Sequence, residues 1–149
     1  MMPPGSALAG VECNCLALRA AARHVTQFYD QVLAPSGLRT TQFSILAKLK
    51  RNGPQTINAL AADLVMDRTT LGRNILPLQR DGLIRIEASA ADRRAKQLVL
   101  SKDGEQRLRA AAKFWYAAQA RFDAVFGAKR AGDLRGEMTA VVASDFAGP

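Results

Sequence analysis

Apolar residues near the start of the chain recur with the period of an α-helix. Six of them share one stripe because alternate steps of three and four residues separate them: Cys15, Leu18, Ala22, Val25, Tyr29 and Val32. This pattern predicts a helix over residues 12–34, which the turn-forming residues 35–37 end. A second amphipathic helix is predicted from Thr40, as its N-cap, to Asn52.

The middle of the chain has the pattern of two short helices joined by a tight turn. Thr56 is a suitable N-cap for the first helix and Asp67 for the second, which Asp81 and Gly82 close. Their predicted inner faces carry Ile57, Leu60, Ala61, Leu64, Leu71, Ile75 and Leu78. The arrangement is a helix-turn-helix. Pro77 lacks a backbone donor, so we expect a bend late in the second helix.

A β-hairpin is predicted directly after these helices. Residues 83–87 alternate between apolar and charged side chains, and a second strand is predicted over residues 95–100. The tip between the strands contains ADRRAKQ, residues 91–97, with three cations and one anion. A helix-turn-helix followed by a hairpin is a winged helix. The predicted fold class is therefore mainly α with a small sheet (α+β).

The C-terminal third is predicted to be helical again. Ser101 is the expected N-cap of a long helix that ends near Phe126. A second stripe with steps of three and four residues contains Leu108, Ala111, Trp115, Ala118, Phe122 and Val125. This period suits helix-on-helix packing along a seam. A last helix is predicted over residues 131–143, where Gly132 and Gly136 interrupt the pattern.

Basic residues are concentrated in the middle of the chain. The 149 residues carry 21 Lys and Arg against 13 Asp and Glu, a net charge of +8. Residues 1–38 and 114–149 are each neutral, whereas residues 39–66 carry +3 and residues 67–113 carry +5. A basic module between two neutral segments favours a polyanionic partner such as nucleic acid.

Composition also limits the other classes of function. No stretch approaches about 18 consecutive apolar residues, so no membrane span is expected, and residues 1–10 have the composition of a disordered leader. Two cysteines cannot form a secreted disulfide framework, which favours the cytoplasm. Since His24 is the only histidine and no catalytic set or phosphate loop is evident, neither a metal, a cofactor nor an enzyme activity is expected.

The order of these elements and several motifs resemble the MarR family of bacterial transcriptional regulators. The similarity is carried by Asp92-Arg93-Arg94, the following strand QLVL with Ser101 and Gly104, the helix pair LAADLVMDRTTLGRNILPLQRDGLI, and the N-terminal LRAAARHV. The resemblance implies a single domain over residues 11–149. Residues 39–100 would form the DNA-binding lobe, and residues 11–38 and 101–149 would hold the dimerisation helices of a homodimer.

The start of the second short helix supplies candidate DNA contacts. Arg68, Thr69, Thr70 and Arg73 lie away from its apolar face, where residues of a recognition helix meet base edges. Arginine can bind guanine O6 and N7 together, and threonine can contact a thymine methyl or a phosphate.

The hairpin tip supplies a second set of candidate contacts. Arg93 or Arg94 can enter a minor groove, with Lys96 near phosphate, and the resemblance favours Arg94 as the inserted residue. Asp92 is expected to orient one of the two arginines through a paired hydrogen bond.

An effector pocket is expected, by the resemblance, between the dimer helices and the lobe, with Arg19, His24, Phe28, Phe43 and Phe114 as candidate residues for an acidic or aromatic small molecule. Cys15 resembles the sensing position of the organic-peroxide branch of the family. Phe43 stands where that branch places a hydroxyl, so core packing is the favoured interpretation of Cys15. On one helix, Cys13 and Cys15 would point to nearly opposite faces and could not bridge without unwinding it.

These inferences predict a dimeric regulator that binds a pseudo-palindromic double-stranded operator, acts as a repressor and is released by a small molecule. Two alternatives remain: a repressor that senses organic peroxide through Cys15, and a winged helix that docks only to protein. The sequence reveals neither the effector nor the operator.

Overall fold

The computed structural model describes residues 12–148, so the predicted leader lies outside the described residues. In chain order the helices and strands are α1 (Asn14–Leu33), a 3₁₀ turn (Ala34–Ser36), α2 (Thr40–Asn52), β1 (Gln55–Thr56), α3 (Ile57–Asp63), α4 (Arg68–Arg80), β2 (Ile84–Ala88), β3 (Lys96–Leu100), α5 (Lys102–Phe126) and α6 (Ala128–Ala143). The predicted mainly helical winged helix-turn-helix, with helices on both sides of it, is confirmed.

A small antiparallel sheet holds the wing against the helices. Its strand order is β1-β3-β2, and β2 pairs with β3 from Ile84 opposite Leu100 to Ala88 opposite Lys96. The two-residue strand β1 pairs Gln55 with Leu98 and was not predicted. It connects the start of α3 to the base of the wing, so the wing and the helix-turn-helix form one body.

The lobe formed by residues 38–100 supplies most of the hydrophobic core, which Leu33 of α1 and Ala111 of α5 complete. Its largest fully buried side chains come from every element of the lobe except β1: Ile45, Leu46, Leu60, Leu71, Leu78, Ile84 and Leu98. Burying one such aliphatic side chain contributes about 1.5–3 kcal/mol. The apolar positions predicted for α3 and α4 therefore hold these two helices together and fix which face of α4 points outward.

Local hydrogen bonds set the ends of the two short helices. Thr56 Oγ1 accepts a hydrogen bond from the backbone N of Ala59 at 3.1 Å, and Asp67 caps α4, as predicted. In the turn between them, Met66 N donates to Ala61 O at 2.9 Å. Val65 lies in this turn with φ of 52°, a left-handed conformation that is costly for a β-branched residue.

The junction between the sheet and α5 is tightly packed. Ser101 Oγ accepts from Gly104 N at 2.9 Å and donates to Gly82 O at 2.6 Å, so it caps α5 and also closes the end of α4. A Cβ on Gly104 would lie 2.1 Å from Leu83 O. Glycine is required there because α5 starts in direct contact with the backbone that precedes β2.

Two helix starts differ from their predictions. Arg39, not Thr40, is the N-cap of α2, and Thr40 N donates to Asp30 Oδ1 of α1 at 2.7 Å. The donor at the start of α2 is thus satisfied by another helix. The first helix begins at Asn14, and Cys13 is its N-cap. Helix α4 runs through Pro77 to Arg80.

The three helices outside the lobe, α1, α5 and α6, pack beside it and are called the arms below. Tyr29 of α1 donates a hydrogen bond to Gln119 of α5. Burial raises the pKa of the Tyr29 hydroxyl, and the carboxylate of Asp123 raises it further. Toward their ends the arms leave apolar side chains exposed: Leu16, Leu18, Val125, Leu134, Val142 and Phe146.

Candidate nucleic-acid interface

Helix α4 has one buried face and one open, polar face. Leu71, Ile75 and Leu78 fill the core. The predicted contact residues all lie exposed on the first two turns: Arg68, Thr69, Thr70 and Arg73. Leu76 is 64% exposed on the same outward side and was not predicted as a site residue. Its position follows from the helical period, because residues 69, 73 and 76 lie opposite the buried stripe.

The first turn of α4 is fixed by a pair of hydrogen bonds. Asp67 Oδ1 accepts from Thr70 N at 2.8 Å, and Asp67 Oδ2 accepts from the Thr70 hydroxyl at 2.7 Å. These two bonds to Thr70, first the backbone bond and then the side-chain bond, lower the pKa of the Asp67 carboxyl below its ordinary value. A carboxyl whose pKa is lowered in this way is ionised at neutral pH.

The tip of the wing is held by backbone hydrogen bonds. Asp92 Oδ1 accepts from Arg94 N at 2.9 Å, and Asp92 O accepts from Ala95 N at 3.0 Å. Ser89 is buried below the tip, and its Oγ accepts from Ala91 N. The expected pairing of Asp92 with an arginine side chain is therefore wrong: within residues 12–148, Asp92 forms no ion pair. It shapes the turn that carries Arg94 instead.

A cleft of about 410 Å³ separates the wing from the start of α4. Arg68, Arg94 and Lys96 line it together, so the structure brings together candidate cations from both predicted sets. Its apolar wall consists of Ile57, Ile86, Ala95 and Leu98. Thr56 and Asn58 complete the lining and were missed as site residues, since only the β1–β3 pairing places the start of α3 beside the wing.

Five cations of this face have no ion-pair partner among residues 12–148. Four other cations of the lobe have acidic neighbours: Arg85 pairs with Glu87 at 2.9 Å, Lys48 with Asp63 at 3.4 Å, Arg80 with Asp81 at 3.4 Å, and Lys50 with Glu105. Among the described residues, no ion pair includes Arg68, Arg73, Arg93, Arg94 or Lys96. These five positive charges remain available to an external anion.

The candidate effector residues are spread over different environments. Arg19 and His24 are exposed on α1, and Phe28 meets the Tyr29 ring edge-to-face at 5.5 Å. Phe43 is buried and stacks on Trp115 with ring centroids 5.8 Å apart, while Phe114 packs at the edge of the core. Phe43 is thus a core residue rather than part of an open pocket wall.

Both cysteines are exposed and free. Core packing of Cys15 within this chain, the favoured interpretation from sequence, is therefore wrong, because its neighbours on α1 are exposed as well. Cys13 lies just before the helix, and its Sγ accepts from Leu16 N at 3.4 Å. The expectation of two thiols on opposite faces of one helix does not apply, since Cys13 is the cap.

The helix-turn-helix and the wing define a winged-helix protein, and its exposed recognition face is cationic. The family model described as MarR family matches residues 38–96. The transcriptional regulator MosR of M. tuberculosis, solved in complex with DNA, is 40% identical, and the match covers 89% of this chain and 98% of that chain with a TM-score of 0.76. The chain belongs to the MarR family of transcriptional regulators.

Two further proteins are similar to the chain, the first over nearly its whole length and the second over part of it. The transcriptional repressor CouR of Rhodococcus jostii RHA1, bound to a 23-mer DNA duplex, is 27% identical over 89% of this chain and 94% of its own, with a TM-score of 0.78. The uncharacterized HTH-type regulator YwoH of Bacillus subtilis is 30% identical over 86 residues, which span 58% of this chain and 62% of YwoH. Over residues 12–148, no helix is long and apolar enough to cross a membrane.

Proposed function

We propose that this chain binds double-stranded DNA as a homodimer and regulates transcription. The observation that carries the proposal is the cleft beside the open face of α4 at which Arg68, Arg94 and Lys96 converge, and none of the three forms an ion pair within the part of the chain that the structure describes. A groove with unpaired cations on both sides fits a phosphate backbone, and phosphate contacts supply much of the affinity of such proteins.

Each element of the interface has a distinct part in this proposal. Helix α4 enters the major groove, where Arg73 binds a guanine and Thr69 contacts a thymine methyl or a phosphate. The wing follows the backbone, and Arg94 enters the minor groove, where the potential is most negative. Asp92 supports this role by fixing the backbone of Arg94 at the turn.

The arms are proposed to pair with a second copy of the chain. Their exposed apolar side chains, from Leu16 on α1 to Val142 on α6, form a surface that a homodimer would bury. A two-fold dimer presents two copies of α4, which must be spaced by about 34 Å to meet successive major grooves. The operator is therefore proposed to be pseudo-palindromic.

Relatives support the DNA partner. MosR was solved in complex with DNA and CouR on a DNA duplex, and each matches nearly the whole chain. We extend the proposal to repression in the cytoplasm, relieved by a small molecule that binds between arms and lobe near Arg19, His24 and Phe28. A ligand there would change the spacing of the two α4 helices.

Selection of bound fragments from a random pool of duplexes tests the proposal directly. With the selected duplex, Arg94→Ala should weaken binding by about tenfold or more and lower the slope of log K against log salt, because a cation in the groove is lost. The matched controls remove the same charge: Arg93→Ala from the same tip, and Arg85→Ala, whose side chain is paired with Glu87. Each control should cost less than about threefold.

Two outcomes would contradict parts of this scheme. Equal loss from Arg93→Ala and Arg94→Ala would remove the groove assignment but leave DNA binding intact. If the wild-type chain shows no salt-dependent binding to any duplex, the DNA-binding function falls, and the winged helix would serve docking to another protein.

A second candidate is a repressor that senses organic peroxide through Cys15, whose thiol is free and, within the single chain, exposed beside Leu16 of the proposed dimer surface. A stoichiometric organic peroxide should then release the wild-type protein from its duplex, and Cys15→Ser should remain bound. A wild type that stays on DNA after peroxide treatment would exclude this candidate. Cys13→Ser serves as the control for general thiol oxidation.

A further inference from the structure

The direction of the hydrogen bonds at the start of α4 can be assigned atom by atom. Ionised Asp67 has only acceptor atoms, so the Thr70 hydroxyl must donate its single proton to Asp67 Oδ2, 2.7 Å away. The backbone N of Thr70 donates to Asp67 Oδ1. Both donors of Thr70 are therefore used inside the chain, and the outward-facing atoms of this pair are acceptors only.

This pair lies within the proposed recognition surface. Asp67 and Thr70 are exposed in the turn of α4 that also carries Arg68 and Thr69, next to the cleft with Arg94 and Lys96. Phosphate oxygens are acceptors as well, so a pair with no free donor cannot hydrogen-bond to the backbone of DNA. Its partner must be a donor, and in the major groove the only donors on base edges are the amino groups of cytosine and adenine.

We propose that Asp67 and Thr70 act together as an acceptor pair that selects a cytosine or adenine amino group at one position of each operator half-site. Thr70 contacts the base, and Asp67 is the positioning residue that dictates the polarity of the Thr70 hydroxyl. Guanine and thymine present acceptors at that position and leave the Thr70 oxygen unpaired. This inference rests on the proposed DNA-binding function and names a specificity element within it.

One isosteric substitution reverses the polarity. In Asp67→Asn, the amide oxygen still accepts from Thr70 N, and asparagine is as good an N-cap as aspartate. The amide nitrogen, however, is a donor and takes the place of Oδ2. The Thr70 oxygen must then accept, which frees its proton for a guanine or thymine acceptor. The base preference should therefore invert rather than merely weaken.

The experiment measures base preference as a ratio of affinities. The full-length wild type first selects a duplex from a random pool, and each half-site position is then changed symmetrically to all four bases. At one position the wild type should prefer cytosine or adenine over guanine or thymine by about tenfold per half-site. Asp67→Asn should reverse the order at that position only. Because ratios are compared, the general gain in affinity from removing a negative charge cancels.

Two variants of Thr70 complete the design. Thr70→Val keeps the shape but has no hydroxyl, so the preference should fall to about twofold or less. In this background, Asp67→Asn should change the ratio no further. Thr70→Ser keeps the hydroxyl and should retain the wild-type preference. Unfolding curves of each variant separate a change in specificity from a change in folding.

The outcomes distinguish this inference from the proposed function. If the wild type binds its selected duplex but Asp67→Asn and Thr70→Val leave every base ratio unchanged, the acceptor pair is overturned and DNA binding stands. If Asp67→Asn flattens the preference without reversing it, the polarity argument is overturned. If the wild type selects no duplex, both this inference and the proposed function fall.

Discussion

The lobe and the arms of this chain differ in how they bury their apolar residues. In the lobe, side chains from α2, α3, α4 and both wing strands close on one another, and the largest of them are fully buried. In the arms the same helical stripes are only partly covered. Val142 is 62% exposed and Phe146 82% exposed, and α1 is exposed along its first half.

This difference separates two sources of stability. The lobe's core is complete within one chain, so its stability should not depend on protein concentration. In the arms, the stripe of α5 is buried within the chain at Ala111 and Ala118, whereas the apolar side chains toward the helix ends are left exposed. Amphipathic helices of this kind become stable by packing rather than by propensity. The rigid helix-turn-helix and wing are thus attached to arms whose arrangement can change on contact with a second copy of the chain.

The largest effect is expected where α5 meets the lobe, because that junction has no spare volume. Gly104→Ala places a Cβ 2.1 Å from Leu83 O, and backbone cannot give way as a flexible side chain can. Overpacking of this kind costs about 3 kcal/mol or more, because α5 must separate from the start of β2. Urea unfolding should show the loss as a lower midpoint with an unchanged slope.

The matched control lies in another arm helix. Gly136 of α6 is also helical, and a Cβ there has nothing within 4 Å. Gly136→Ala should raise helix propensity by about 1 kcal/mol and cause no clash. If both variants lose stability equally, the tight junction between lobe and α5 does not exist in solution.

The next effect tests the arms. Val142→Asp puts a charge into the surface that a second copy would cover, so the dissociation constant of the homodimer should rise by about a hundredfold. Val65→Asp makes the same chemical change at a valine of similar exposure, 69%, in the lobe. Sedimentation should show dissociation for the first variant only. A Val142→Asp protein that sediments like wild type would place the dimer contact elsewhere.

A smaller effect, this time a gain in stability, is expected in the turn of the helix-turn-helix. Val65 holds φ of 52° with its side chain in solvent, so it has the cost of a left-handed conformation without a packing contact that offsets it. Val65→Gly should stabilise the protein by about 1 kcal/mol, since glycine adopts this conformation freely. Thermal unfolding measures the gain. A loss of stability instead would show that the Val65 side chain has a partner.

Sequence predicted the parts of the fold that depend on nearby residues. Thr56, Asp67 and Ser101 cap their helices as expected, because each bonds to a backbone N only three residues ahead. Residues whose partners are distant were assigned wrongly or missed. The sequence predicts Thr40 as a cap, but Arg39 is the cap and the backbone N of Thr40 donates to Asp30 of another helix. Strand β1 has two residues, too few for an alternating pattern, and exists only by pairing with β3.

The candidate site shows the same limit. The sequence predicted which residues of α4 and of the wing are exposed, since the helical period and the hairpin decide that. It could not predict that Asp92 accepts a hydrogen bond from the backbone N of Arg94, because a carboxylate beside two arginines can accept either from their side chains or from the backbone. Nor could it predict the exposure of Cys15, which depends on what covers α1.

The smallest expected effect is on the pH dependence of stability, at the acid end for Glu105 and at the alkaline end for Tyr29. A hydrogen bond and the charge of Lys50 lower the pKa of Glu105, which joins α5 to the lobe, below its ordinary value of 4.5. Its stabilisation is present above that pH and is lost as the pH falls through the lowered pKa. In the arm, the pKa of Tyr29 is raised above 10.0, so its contribution to stability is present below that pH and is lost as the pH rises.

Glu105→Gln should therefore flatten the acid limb of a plot of urea midpoint against pH, and Tyr29→Phe should flatten only the alkaline limb. If Glu105→Gln leaves the acid limb as steep as in wild type, the ion pair with Lys50 does not persist in solution, and the junction between lobe and arm is held by its other contacts, such as the packing at Gly104 and the hydrogen bond from Ser101 to Gly82.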